Sequence, residues 1–165
     1  MEMKTKGFTL IEMVVAIGIL GTVGMVASLI FFSTLRGVAK TDITREVKQN
    51  GDYAITVMER MIRNAAGIDS STVCNGTSLS SLKIQNTDGN STTFSLVSGQ
   101  IASGSGIFLT NPKVSVTNLV FTCSRAVGKP DVINISFNAA QAGSAGGPEG
   151  LSSMNFQTTV SLRTY

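Results

Sequence analysis

The chain has 165 residues, of which 42% are hydrophobic and only 14% are charged, and its formal net charge is +3 at pH 7. This length suits one membrane helix followed by one small globular domain, and so low a charge does not by itself indicate nucleic-acid binding. Histidine is absent, so a Ser or Cys nucleophile lacks its usual base, and no pair of acids has the spacing for acid–base catalysis; the composition argues against an enzyme.

The N-terminal stretch combines a basic leader with a long apolar run. Lys4 and Lys6 precede Gly7, and residues 13–35 carry no charge at all. At about 1.5 Å per residue, a helix of that length covers roughly the hydrocarbon core of a bilayer. A secretory signal has a shorter apolar core, and its small residues follow that core. A cut at Gly7 would instead leave the apolar helix on the mature protein, with Phe8 as its first residue.

Glu12 is the charge that interrupts the apolar stretch. An unpaired carboxylate inside lipid costs about 2.5–3.5 kcal/mol on insertion scales, so we expect it to have a partner. The new α-amino group of Phe8 would be mostly protonated at neutral pH and lies one turn away in the same helix. The amine of one copy can also meet Glu12 of a neighbouring copy, which would set the register between subunits.

The sequence Gly7-Phe8-Thr9-Leu10-Ile11-Glu12 resembles the cleavage and methylation motif of type IV prepilins and type II secretion pseudopilins. The resemblance implies cleavage after Gly7 by a prepilin peptidase, N-methylation of Phe8 and a requirement for Glu12 in filament assembly. A simple membrane anchor with Glu12 near the interface is the alternative, and it leaves Gly7 unexplained.

After Arg36 the helical period continues while polar residues return. Apolar residues recur at steps of three, four or seven and form one stripe: Ile43, Val47, Ala54, Met58, Ile62 and Ala65. We therefore predict one long helix with two regimes, an apolar one over residues 8–35 and an amphipathic one over residues 36–66 that packs on a sheet. Gly51 is a point where this helix could bend, Gly67 is a plausible stop, and Glu59 with Arg63 is a favourable i,i+4 pair.

From Ser70 onwards the hydrophobic period becomes two, which predicts strands. Leu82 with Ile84, and Phe94 with Leu96, flank Asp88-Gly89-Asn90, a pattern typical of a tight hairpin. Further strand-like runs lie at residues 107–109, 114–124, 133–137 and 156–162. They predict roughly five antiparallel strands in a globular head over residues 67–165, and the Gly-rich segments 99–106 and 139–150 are expected to be loops.

Cys74 and Cys123 both lie in this head. Two cysteines in an oxidising compartment favour a disulfide, because zinc needs four ligands and no histidine completes the set. Cys123 is predicted on the inward face of its strand, within reach of Cys74. Two buried free thiols are the alternative. No metal or cofactor site is predicted, since the Asp88 loop lacks the further acidic ligands of a calcium site.

These features predict an α+β fold of the type IV pilin kind, in which a long helix packs on an antiparallel β-sheet head, preceded by a leader over residues 1–7. The resemblance implies a subunit, major or minor, of a pilus-like filament. Before assembly the chain would span the inner membrane once, with its N-terminus in the cytoplasm; afterwards it would lie in an extracellular or periplasmic filament built by the assembly machinery. A type II secretion pseudopilin and a monomeric membrane-tethered binding module are the alternatives.

Three cations late in the chain, Arg125, Lys129 and Arg163, are candidates for a small basic patch that binds DNA, as in some minor pilins. Three charges without interleaved aromatic residues give DNA binding less support than the other predicted partners have.

Overall fold

The computed structural model describes residues 7–104, 106–143 and 153–163. Its one described helix, α1, spans Leu10–Arg63 and contains 54 residues. The chain divides into two compact units, Met1–Ala39 and Lys40–Tyr165. The first contains the apolar part of α1, and the second contains the amphipathic part together with all the described strands.

The second unit has nine described strands: β1 Gly67–Ile68, β2 Asn75–Leu79, β3 Ser81–Gln85, β4 Ser91–Val97, β5 Gln100–Ser103, β6 Ile107–Phe108, β7 Val114–Ser124, β8 Val132–Gln141 and β9 Ser153–Ser161. They form a five-stranded sheet in the order β1-β3-β4-β5-β6 and a four-stranded sheet in the order β2-β7-β8-β9. Every pairing is antiparallel. The predicted α+β class is confirmed.

The apolar stripe of α1 supplies one side of the core. Its members from Val47 onwards are almost fully buried: Val47, Ala54, Met58, Ile62 and Ala65. They share one hydrophobic cluster with side chains from both sheets. The amphipathic period thus predicts the buried face of this half of α1, because burying apolar area is the main favourable term in folding.

Gly51 lies on the same buried face and allows a close contact with β9. A Cβ added at Gly51 would lie 2.2 Å from Cζ of Phe156. The Phe156 ring stacks on Phe137, with ring centroids 5.2 Å apart. The glycine therefore makes room for an aromatic pair, which is a packing role that the sequence pattern did not indicate.

A bulge in β7 explains its change of hydrophobic phase. Val114 and Val116 are buried, and so are Leu119, Phe121 and Cys123, although the two groups differ by an odd number of residues. The pairing with β8 shifts between Thr117 and Val120. The bulge places both groups on the same face by adding one residue to the strand.

The predicted hairpin between β3 and β4 is confirmed, as are the strands at residues 114–124 and 133–137. The number of strands is wrong, because β1, β2 and β5 were missed. Segment 99–106 was expected to be a loop, yet Gln100–Ser103 forms β5, which follows β4 through Ser98 and Gly99. Both of these residues have positive φ, at 50° and 76°, as in the two-residue turns that join tight hairpins.

Two expectations about the end of α1 are also wrong. The helix ends at Arg63, and Gly67 lies in β1. Glu59 accepts a hydrogen bond from the Thr158 hydroxyl of β9, and no ion pair between Glu59 and Arg63 is present in the described structure. The Glu59 carboxylate therefore bonds to the sheet and not to the predicted partner along the helix.

Candidate functional site

The start of α1 is fixed by reciprocal hydrogen bonds between Thr9 and Glu12. Oε2 of Glu12 accepts from the Thr9 amide at 3.2 Å and from the Thr9 hydroxyl at 3.1 Å. The Glu12 amide in turn donates to Oγ1 of Thr9 at 3.4 Å. This is a capping box, which satisfies amides that the first turn of a helix leaves without intrahelical partners. The spacing Thr-x-x-Glu is a sequence signal of a capping box, so the role of Thr9 could have been predicted from the sequence.

Gly7 and Phe8 immediately precede this cap and lie outside the helix. The side chain of Phe8 is 82% exposed. The basic residues Lys4 and Lys6 lie outside the described residues. The helix begins only at Leu10, so the predicted scissile bond between Gly7 and Phe8 lies outside it.

The apolar half of α1 buries none of its large side chains within its own unit. Each one from Leu10 to Leu35 is between 50% and 82% exposed. By length and composition this is the one described helix that could cross a membrane. So large an exposed apolar surface requires lipid or other protein chains around it.

Three hydroxyl side chains inside this apolar segment donate hydrogen bonds to carbonyls of their own helix. Thr22 donates to the carbonyl of Ile19, and Ser28 donates to the carbonyl of Gly24, at 2.9 and 2.8 Å respectively. Thr34 makes the same kind of bond four residues back. Because these hydroxyls need no water, they are compatible with a hydrocarbon environment.

Residues 3–28 match the family described as the prokaryotic N-terminal methylation motif. The chain carries the signature of type IV prepilins and pseudopilins. No curated protein and no solved structure gives a significant match. The signature covers residues 3–28, so the head has to be understood from its own geometry.

The head contains the disulfide expected from the sequence. Cys74 and Cys123 are bonded to each other, and no free cysteine occurs in the described residues. Cys123 is fully buried in β7. The next residues along, Asn75 and Ser124, face each other in the β2–β7 pairing, so the bond joins the segment after α1 to the middle of the four-stranded sheet.

The β7–β8 loop lies at one end of this head and is closed by an ion pair at its base. Arg125 donates to Asp131 through Nε at 2.8 Å and through Nη2 at 2.7 Å, one bond to each carboxylate oxygen. The carboxylate raises the pKa of Arg125 above its usual value, chiefly through this hydrogen bonding. Planar, two-bond pairs of this kind fix geometry better than a single contact does.

The cations proposed as a patch are brought together at this loop. Arg125, Lys129 and Arg163 all line one open cavity of about 500 Å³. Its other walls come from the loop itself, from Ala66 and Gly67 after α1, and from Leu162 after β9. The patch was predicted from the charge of these three residues alone, and the structure places them around one cavity.

Asp69 and Asp88 accept hydrogen bonds from residues two positions further along the chain and so stabilise turns of the head. Two hydrogen bonds from Ser71, with further help from Lys83, lower the pKa of Asp69 to about 2. Hydrogen bonds from Asn90 lower the pKa of Asp88 as well, and both of its carboxylate oxygens accept from that residue. The described residues contain no cluster of acids and cysteines that could hold a metal ion.

Proposed function

We propose that this chain is a structural subunit, major or minor, of a type IV pilus-like filament. One observation carries the proposal: the first half of α1 exposes all of its large apolar side chains and contains one carboxylate, Glu12. A chain that stayed in the bilayer as a single anchor would gain nothing from an acid at that depth. A chain that packs its helix among copies of itself can use the acid to fix their register.

The signature supports a processing step between Gly7 and Phe8. On this proposal a prepilin peptidase removes residues 1–7, and the new amine of Phe8 is methylated. The mature chain then consists of a transmembrane and filament-core segment over residues 8–35, an amphipathic continuation over 36–66 and the head over 67–165. A glycine at the junction suits a peptidase, because a residue without a Cβ lets the backbone lie close to catalytic groups.

The capping box gives Glu12 its position relative to the new terminus. Its carboxylate lies against the amide of Thr9, the residue that follows Phe8. The Phe8 amine of the same chain is therefore one residue away, and the amine of a staggered neighbour can approach the same oxygens. We propose the contact with the neighbour as the assembly contact, since it couples charge neutralisation in lipid to subunit register.

The location follows from the same features. The apolar helix would hold the subunit in the inner membrane before assembly, with Lys4 and Lys6 on the cytoplasmic side. After assembly the helices would form the filament core, and the heads would face outwards as the surface. The partners would be the peptidase, the assembly machinery and other pilin subunits.

Mass spectrometry of native material tests the processing step. We expect the mature chain to begin at Phe8 and to carry one methyl group on its amine. A chain that retains Met1 to Gly7 would contradict the proposal and favour a monomeric tether.

Two substitutions at Glu12 separate its charge from its capping role. Glu12→Gln retains a side chain that can accept the Thr9 bonds, because Gln also occupies this position in capping boxes. Glu12→Ala removes both functions. If charge pairing drives assembly, both variants should accumulate in the membrane with an oxidised, folded head and form no filaments. Normal filaments from Glu12→Gln would mean that Glu12 acts as a cap alone.

The signature is common to pilins and pseudopilins, so a secretion pseudopilin is the second candidate. Deletion of the gene distinguishes the two. Loss of surface filaments with normal protein secretion supports the pilus subunit, and loss of secretion without a change in surface filaments supports the pseudopilin.

A further inference from the structure

The cavity beneath the β7–β8 loop has the size of a small-molecule site. Its volume of about 500 Å³ falls within the range of roughly 300–1,000 Å³ that such sites occupy. It is bounded by the loop on one side, and by Gly67 and the segment Leu162–Arg163 on the other. All of these residues belong to the second unit, and none has a part in the filament assembly proposed above.

The cavity carries uncompensated positive charge. Of its three cations, Arg125 is neutralised by Asp131 through two hydrogen bonds. Lys129 and Arg163 are exposed, and neither side chain has a hydrogen bond or ion pair with any described residue. Among the described residues that line the cavity, Asp131 is the only acid, and each of its carboxylate oxygens already accepts a hydrogen bond from Arg125. Two positive side chains therefore remain for a ligand.

The loop that presents Lys129 is held in place before any ligand arrives. The Arg125–Asp131 pair closes its base, the Lys129 amide donates to the carbonyl of Ala126 at 3.1 Å, and the Asp131 carbonyl accepts from the Leu162 amide at 3.0 Å. Pro130 further limits the backbone. Such preorganisation reduces the ordering cost that binding has to overcome.

The remaining walls of the cavity fit a nucleic acid less well than a small anion. Ala126, Val127, Pro130 and Leu162 are apolar, and none of the lining residues in the described part of the chain is aromatic. Single-stranded nucleic acids are held largely by stacking of bases on aromatic rings along a basic groove. A duplex contact would need a row of cations instead of two around one cavity. An isolated pair of cations with apolar walls suits one anionic group on a small, partly apolar body.

We propose that this cavity binds a compact organic anion, namely a carboxylate or a phosphate monoester on a body the size of one sugar. Lys129 and Arg163 would bind the anionic group, and Val127 and Pro130 would contact the apolar surface of the body. Arg125 is a positioning residue, because its two bonds to Asp131 hold the loop and neutralise its charge. The proposal goes beyond filament assembly and gives the head a binding activity of its own.

Calorimetric titration of the purified full chain in neutral-detergent micelles tests this proposal. The probes are N-acetylneuraminic acid for the carboxylate, glucose 6-phosphate for the phosphate, and glucose as the neutral comparison. We expect at least one of the acidic probes to bind and glucose to give no signal. The acid that binds more tightly identifies the anionic group. Added salt should weaken the binding, since charge attraction drives it.

Variants locate the site. Lys129→Ala and Arg163→Ala should each weaken binding of the acidic probe by about tenfold, while Arg163→Lys should retain most of it. Lys113→Ala is the matched control: it removes the same charge from a lysine that pairs with Glu46 at 3.9 Å and does not line the cavity. Unchanged thermal unfolding of the variants shows that the head remains folded.

Several outcomes would overturn the proposal. These are failure of both acids to bind, equal binding of glucose, or undiminished binding to the double variant Lys129→Ala/Arg163→Ala. A 12-nucleotide single strand that bound more tightly than both acids would assign the cavity to nucleic acid instead.

Discussion

Thr9 and Glu12 exchange three hydrogen bonds across the first turn of α1, and Glu12 supplies a single carboxylate oxygen to two of them. Its other oxygen, Oε1, makes no hydrogen bond within the described residues. The same carboxylate can thus cap the helix and still bind an incoming amine. Capping holds it at the end of the helix where the amine of a processed chain would lie.

The cap predicts a measurable change in the variant Thr9→Ala. Loss of an N-cap hydroxyl typically costs about 1 kcal/mol of helix stability, which corresponds to about a fivefold change in a local opening equilibrium. We expect the amide hydrogens of the first turn to exchange about fivefold faster, measured by NMR on the full chain in micelles. Thr9→Ser retains the hydroxyl and should exchange like the wild type. Equal rates in all three proteins would show that the cap contributes nothing.

The contact between Gly51 and Phe156 predicts the effect of Gly51→Ala. Alanine usually stabilises a helix by about 1 kcal/mol relative to glycine, but here the added Cβ would lie 2.2 Å from the Phe156 ring. Because that ring stacks on Phe137, it cannot move away without cost. We expect a net destabilisation of about 1–3 kcal/mol in chemical unfolding of the head.

Gly37→Ala is the control for that substitution. It lies in the same helix, and a Cβ at Gly37 would meet nothing within 4 Å. We expect this variant to unfold at the same denaturant concentration as the wild type or slightly above it. If both variants proved stabilising, the proposed tight contact between Gly51 of α1 and Phe156 of β9 would be contradicted.

The disulfide predicts how far the head depends on oxidation. Cys74 and Cys123 are 49 residues apart, and closing a loop of that length stabilises a folded protein by about 4 kcal/mol in the chain-entropy model. The double variant Cys74→Ala/Cys123→Ala should lose about that much free energy of unfolding. Dithiothreitol should lower the unfolding midpoint of the wild type and leave that of the double variant unchanged. A reductant effect of the same size on both proteins would contradict this interpretation.

Asp69 predicts a loss of stability in acid. Its pKa is about 2 in the folded head, against an ordinary value of 3.8, so the folded state favours the ionised form. Its contribution is complete above about pH 4 and is lost as the pH falls towards about 2. The difference in unfolding midpoint between wild type and Asp69→Asn should stay constant from pH 7 to about pH 4 and then shrink.

Asp42→Asn provides the comparison for this acid titration. Asp42 is exposed on α1 and has no ion pair or hydrogen bond among the described residues. We expect its variant to have the same unfolding midpoint as the wild type at pH 7. A difference between wild type and Asp69→Asn that persisted unchanged below pH 2 would show that the carboxylate charge is not what stabilises this turn.

The segments with strong periodicity were predicted well from the sequence. The stripe from Val47 to Ala65 and the β3–β4 hairpin follow from hydrophobic spacing, since burial selects apolar residues at regular intervals. The limits of β7 were also predicted, although its bulge interrupts the period. The short strands β1, β2 and β5 escaped notice, because two to five residues of mixed Gly, Ser and Asn carry no readable period. Their strand form comes from pairing with neighbours that the local sequence does not specify.

The amino-acid sequence by itself determined the prepilin signature, the apolar span and the amphipathic face of α1, because each depends on residue type and on spacing along one element. It favoured a bond between the only two cysteines, and the structure contains that bond. Only the tertiary structure decided that Gly51 faces Phe156, that Glu59 bonds to Thr158, and that Lys129 and Arg163 share one cavity while Arg125 is neutralised. These relationships join residues 6 to 105 positions apart. The chain path sets such distances, and no local pattern encodes them.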